Sequence, residues 1–106
     1  MSVTQTARCI RATAIHDGVV EASGDALTSQ LRDFAQGEVL SVDASQLFEE
    51  VGAILQGVFH VSAAGEAYDL VAGEGIVIPR GEPRQWTCTE GPGVLYRCTT
   101  RLEPEA

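Results

Sequence analysis

The sequence predicts an all-β domain, and two observations carry that reading. Eleven Gly and four Pro among 106 residues cut the chain into short pieces at regular intervals. The pieces between them are rich in β-branched and aromatic residues, which suit a pleated, half-buried surface.

The breaks fall at Asp17-Gly18, Ser23-Gly24-Asp25, Gln36-Gly37, Gly57, Ala64-Gly65-Glu66, Gly73-Glu74-Gly75, Pro79-Arg80-Gly81 and Glu90-Gly91-Pro92-Gly93. Between them, Val58-Phe59-His60-Val61, Ile76-Val77-Ile78 and Val94-Leu95-Tyr96-Arg97-Cys98 read as strands. The stretch Ser62 to Glu66 reads as a hairpin connection. From Arg84 to Thr89 the pattern alternates, with Arg84, Trp86 and Cys88 on one face and Gln85 and Thr87 on the other. Arg8 to Ile15 offers a further edge strand, either to its own barrel or to that of a partner copy. Glu103 to Ala106 reads as a solvated tail.

One segment follows a different period. From Asp43 to Leu55, the residues Ala44, Leu47, Phe48, Val51, Ile54 and Leu55 recur at helical spacing, and Asp43 or Ser45 could cap a helix. Gly52 in mid-segment argues against it by about 1 kcal/mol.

Charge excludes several classes of partner. Fifteen Asp and Glu against seven Arg, with no Lys, give a net charge of −8. A nucleic-acid binder carries a basic stripe for the phosphates, and an anionic membrane surface asks for the same. The apolar fraction of 44% fits a globular domain, and no apolar run is long enough to span a bilayer. No basic start precedes an apolar stretch, so no signal peptide is expected. Cys9, Cys88 and Cys98 are odd in number and lack framework spacing. They point to small core residues in a reducing, cytoplasmic setting.

The segment from Glu38 to Trp86 resembles the cupin family of small double-stranded β-helix barrels. Gly73, Pro79 and Gly81 stand where the family's second motif has Gly, five residues, Pro, one residue and Gly. Glu50 and Gly57 match the tail of its first motif, and Gly37-Glu38-Val39-Leu40 is similar to the strand that enters it. The resemblance implies one jelly-roll barrel over residues 1–106, with its core at about 30–102.

It also implies a metal, held by two His and a Glu of the first motif and one His of the second. Here only Glu50 remains. The first-motif His positions fall on Ala44 and Gln46, or with longer spacing on Asp43 and Ser45, and the second-motif His is Arg84. A divalent ion wants lone pairs, and a guanidinium has none to give. The expectation is a lost metal site and no cofactor. A site from Glu50, His60 and Asp43 is conceivable, but His60 reads first as an ordinary strand residue.

Two readings of Glu50 and Arg84 follow. They form a salt bridge that plugs the former metal position, or Arg84 receives a carboxylate of a small ligand, with Glu50, Gln46, Trp86 and Cys88 lining the pocket. Cys88 beside Arg84 would then be a lowered-pKa thiol. The favoured role is a metal-free module binding a small organic molecule, carboxylates included. A metal-independent isomerase, lyase or cyclase would use Glu50 as base and Arg84 as electrostatic stabiliser. A metal enzyme with unorthodox ligands and a sealed, self-associating domain complete the set. Phe34, Leu40, Leu55, Phe59 and Leu70 offer more apolar surface than one barrel hides, which predicts a homodimer.

Overall fold

Short-period alternation resolves into seven strands: β1 (Val19–Ser23), β2 (Leu27–Phe34), β3 (Val39–Val42), β4 (Glu50–Ala63), β5 (Glu66–Val71), β6 (Gly75–Ile78) and β7 (Arg84–Thr100). The structure, a computed structural model, describes residues 7–43 and 48–100. All pairings are antiparallel, in the order β1-β2-β7-β4-β5, with β3 also on β7 and β6 also on β4.

The two long strands fold this sheet over on itself. The second half of β7 pairs with β2 and its first four residues with β3. The first half of β4 pairs with β6 and its second half with β5. The result is two layers, β1-β2-β7-β4-β6 and β3-β7-β4-β5, that share β4 and β7. Where the layers meet, the β4–β7 register shifts between Ile54 and Phe59. The shift changes which residues face inward. Glu50, Gly52 and Ile54 are buried before it, Phe59 and Val61 after it. Gly57 stands at this corner with φ +83°, and a Cβ there would lie 2.7 Å from the Glu90 carbonyl oxygen and 2.9 Å from Gly93 Cα. Only glycine fits so close a crossing of two backbones.

The core between the layers consists of Phe34, Ile54, Phe59, Val61, Ile78, Trp86, Cys88 and Leu95. Phe59 meets Phe34 edge to face with ring centroids 4.9 Å apart, and meets Trp86 in the same way at 6.5 Å. Such pairs add to the area they bury.

Several expectations are met. The strand segments at Val58–Val61, Ile76–Ile78 and Val94–Cys98 all lie within strands. The β4–β5 hairpin turns at Ala64 and Gly65, both with positive φ, as a two-residue connection requires. Arg84, Trp86 and Cys88 are buried together.

Others are corrected. Residues 50–55 of the helix-spaced segment are strand; Gly52 weakens a helix, and ladders on both sides hold the segment extended. Positions 44–47, which include the cap candidate Ser45, lie outside the described residues. The break at Glu90–Gly93 does not separate two strands but bends one, within β7. Arg8 to Ile15 adds no strand to its own barrel: Ala12–Ala14 is a single 3-10 turn, and Arg8 Nη1 donates to the Ser23 carbonyl at 2.6 Å. Phe34 and Phe59 are core residues, not surface, and Leu40 and Leu70 pack against that core. Of the five apolar residues assigned to an outer surface, only Leu55 is exposed. The tail read at Glu103–Ala106 lies outside the described residues.

Candidate functional site

Glu50 opens β4 and its side chain is drawn inward by the alternation that buries Gly52 and Ile54. Arg84 opens β7 on the opposite layer, two residues before the core residue Trp86. Folding the sheet over brings the two together, and both side chains are 1% exposed. Arg84 Nη1 donates to Glu50 Oε1 at 3.2 Å. The rest of the guanidinium is held by its own loop. Nη2 donates to the Pro79 carbonyl at 3.1 Å and the Glu82 carbonyl at 2.7 Å, and Nε donates to Glu82 at 3.1 Å. The Pro79–Glu82 bend thus presents two carbonyls to the arginine that follows it.

A second arginine completes the arrangement. Arg97 pairs with Gly52 across the β4–β7 ladder. Its Nη2 donates to Glu50 Oε1 at 2.8 Å and its Nε to Oε2 at 3.0 Å, a two-pronged grip. Arg97 Nη1 also donates to Gln30 Oε1 at 3.1 Å, and the Gln30 amide donates to Glu21 at 3.1 Å. Sequence reasoning missed Arg97. Its signal was present, since alternation through Leu95, Arg97 and Thr99 places it on the inward face.

Trp86 is fully buried and spans the interior. A Cβ on Gly52 would stand 2.5 Å from Trp86 Cζ2 and closer still to Cη2. The Cζ2–Cη2 edge of the indole therefore abuts a residue that has no side chain. Cys88, two residues on, sits deeper, against Phe59 and Gly93. Burial, and then the carboxylate of Glu38, push its thiol pKa up, against a smaller opposing effect of its hydrogen bond to the Glu90 carbonyl. The conditional reading of Cys88 as a lowered-pKa thiol beside Arg84 is thereby corrected: the apolar surroundings favour the neutral form.

Of the candidate site residues, Glu50 and Arg84 touch, Trp86 and Cys88 belong to the core below them, and Gln46 lies outside the described residues. His60 faces outward from β4 and meets Asp69 of β5, with Nδ1 and Oδ1 2.9 Å apart. It does not approach Glu50 with Asp43: among the described residues, no three His, Cys, Asp or Glu side chains come together as ligands. An open groove of about 840 Å³ adjoins Arg84 at the barrel mouth, with Ser41, Ser62, Glu66, Glu82 and Gln85 among its lining.

No family model and no curated protein matches the chain. Solved structures do. KdgF from Halomonas sp. superposes with a TM-score of 0.70 at 19% identity, over 84% of this chain and 85% of that one. An RmlC-like cupin from Shewanella frigidimarina NCIMB 400 gives 0.69 at 21% identity, over 83% and 80%. The cupin domain of Cnp3 from Schizosaccharomyces pombe gives 0.72 at 13% identity, over 87% and 72%. The fold is that of the cupins. Within this cupin fold, Glu50 and Arg84 are buried and hydrogen-bonded to each other. Among the described residues no helix is long and apolar enough to cross a membrane.

Proposed function

We propose that this is a metal-free cupin domain that binds a small organic molecule at the mouth of its barrel. One observation carries the reading: the carboxylate that would coordinate an ion accepts hydrogen bonds from Arg84 and Arg97 through both of its oxygens. Two permanent positive charges within hydrogen-bond reach repel a divalent cation, and neither guanidinium has a lone pair to offer it. The donor set does not fit a metal. The same three hydrogen bonds count against Glu50 as a general base, because it must surrender one before it can take a substrate's proton. What remains for a ligand is the groove beside Arg84.

The test has two arms. Protein purified without added metal is expected to contain no stoichiometric iron, zinc, nickel or manganese, and its melting midpoint will not move with chelator. One equivalent of any of these metals overturns the reading. In a thermal-shift panel of carboxylates, sugars and aromatics, a true ligand at a hundred times its Kd adds about 2.7 kcal/mol. No shift from any member counts against the binding role.

Three unpaired cysteines support a cytoplasmic placement. A homodimer is proposed on a revised surface. Val77 of β6 pairs with Val51 of β4, and both are exposed, as is Leu55 on the same strand. This outward apolar row suits a second copy. Sedimentation is expected to return twice the chain mass, and Val51→Asp to return the monomer. A wild-type monomer at micromolar concentration removes the proposal.

A further inference from the structure

The groove at the barrel mouth is walled by strand ends that the ladders set in one row. Glu66 of β5 stands opposite Ala63 of β4, Ala63 opposite Arg84 of β7, and Arg84 opposite Val42 of β3. Residues directly opposite one another share a face, so Glu66 and Arg84 belong to the same wall. Both line the groove. Arg84 is the only basic residue among the described residues that line it, and its guanidinium is already engaged. The side chain is 1% exposed, and its hydrogen bonds run to Glu50 and to the Pro79 and Glu82 carbonyls. Gln85 likewise commits its amide N–H to Ser41 at 3.1 Å. The other charged residues of the wall are carboxylates from three separate segments: Asp43 after β3, Glu66 at the start of β5 and Glu82 before β7.

Glu66 is held in place. Tyr68, two residues along the same strand, donates its hydroxyl to Glu66 Oε1, and among the described residues Oε2 accepts no hydrogen bond. The hydrogen bond to Glu66, and then the charge of Glu66, push the phenol pKa up, so the hydroxyl remains the donor at neutral pH. We infer that Glu66 sets the specificity of the groove: it selects a small organic cation, a protonated amine, and turns carboxylates away. A ligand carboxylate would meet like charges with no open cation to receive it, and such juxtaposition costs affinity. An ammonium group finds a positioned acceptor at Oε2, while the apolar part of the ligand rests against Val42, Ala63 and Pro83. This rests on the binding role proposed above and names its ligand class.

The test follows amide NMR signals of the isotope-labelled intact protein during titration with benzylamine, benzyl alcohol or sodium benzoate, at neutral pH and constant ionic strength. The three probes share a ring and differ in charge. Benzylamine is expected to shift the amides of Ser62–Ala67 and of Arg84 and Gln85 saturably, with a Kd about tenfold tighter than that of benzoate. Glu66→Gln brings this ratio to about threefold, the order of one exposed charge pair, and leaves the Kd of benzyl alcohol unchanged. Asp69→Asn removes the same charge from the outward face of β5 and leaves the ratio as in the wild type. Benzoate binding at these amides as tightly as benzylamine, an unchanged ratio in Glu66→Gln, or an equal fall in Asp69→Asn overturns the inference and leaves the binding role standing. So does a thermal-shift ligand found among other compounds when none of the three probes moves the groove amides. No groove response and no midpoint shift from any compound defeat both.

Discussion

Glu50→Gln will cost this domain about 3–5 kcal/mol, because it leaves two buried guanidiniums facing a neutral amide. The wild-type carboxylate is 1% exposed and takes hydrogen bonds from Arg84 at 3.2 Å and from Arg97 at 2.8 and 3.0 Å. Glutamine keeps one acceptor oxygen and turns the other into a donor aimed at Arg97 Nε, so the two-pronged grip becomes a clash of donors. Apart from residue 50, Arg84 has the Pro79 and Glu82 carbonyls, whereas Arg97 has only Gln30. Arg97 is therefore the member expected to move. For a chain of this size the loss lowers the melting midpoint by roughly 20 °C. Urea unfolding followed by far-UV dichroism measures it. The companion variant Glu50→Leu/Arg84→Met/Arg97→Met removes all three charges at similar volume, and is expected to recover most of the loss. A Glu50→Gln cost under about 1 kcal/mol would mean that water, not the arginines, satisfies the carboxylate.

The legibility of this network in the sequence was uneven, for physical reasons. Arg84 and Glu50 could be named because the Gly73–Pro79–Gly81 spacing and the Glu50–Gly57 spacing each fix a local backbone path. Their contact could not, because it depends on two layers meeting across the barrel. Arg97 sits in an unremarkable strand, and its role exists only once the β4–β7 register sets it opposite Gly52. The bend at Glu90–Gly93 reads as a chain break in the sequence because turn residues look alike whether they end a strand or bend it. Helical spacing over Asp43–Leu55 misleads for a different reason. The inward positions of β4 carry Glu50 and Gly52 beside Ile54, while the apolar Val51 and Leu55 face outward and are exposed. Periodicity assumes that apolar residues face inward, and on this strand two of them do not.

Gly52→Ala is the second large effect, and it decides whether the Trp86 indole is packed against residue 52. One added methyl would stand 2.5 Å from Cζ2 of an indole that is itself fully buried. Trp86 cannot swing away. Phe59 meets its ring edge to face, and its backbone is paired to Leu40 on one side and Val61 on the other. Overpacking of this kind costs about 1–3 kcal/mol and more where neighbours cannot give; the upper end is expected here. A propensity argument predicts the opposite sign, since alanine loses less chain entropy than glycine on folding. Trp86→Phe frees the atoms that collide, at the cost of a cavity and a lost aromatic contact. In Gly52→Ala/Trp86→Phe the methyl then occupies that cavity, so the double variant should be more stable than the sum of the single losses by about 1–3 kcal/mol. Additive losses within about 0.5 kcal/mol would show that residue 52 and the indole do not meet.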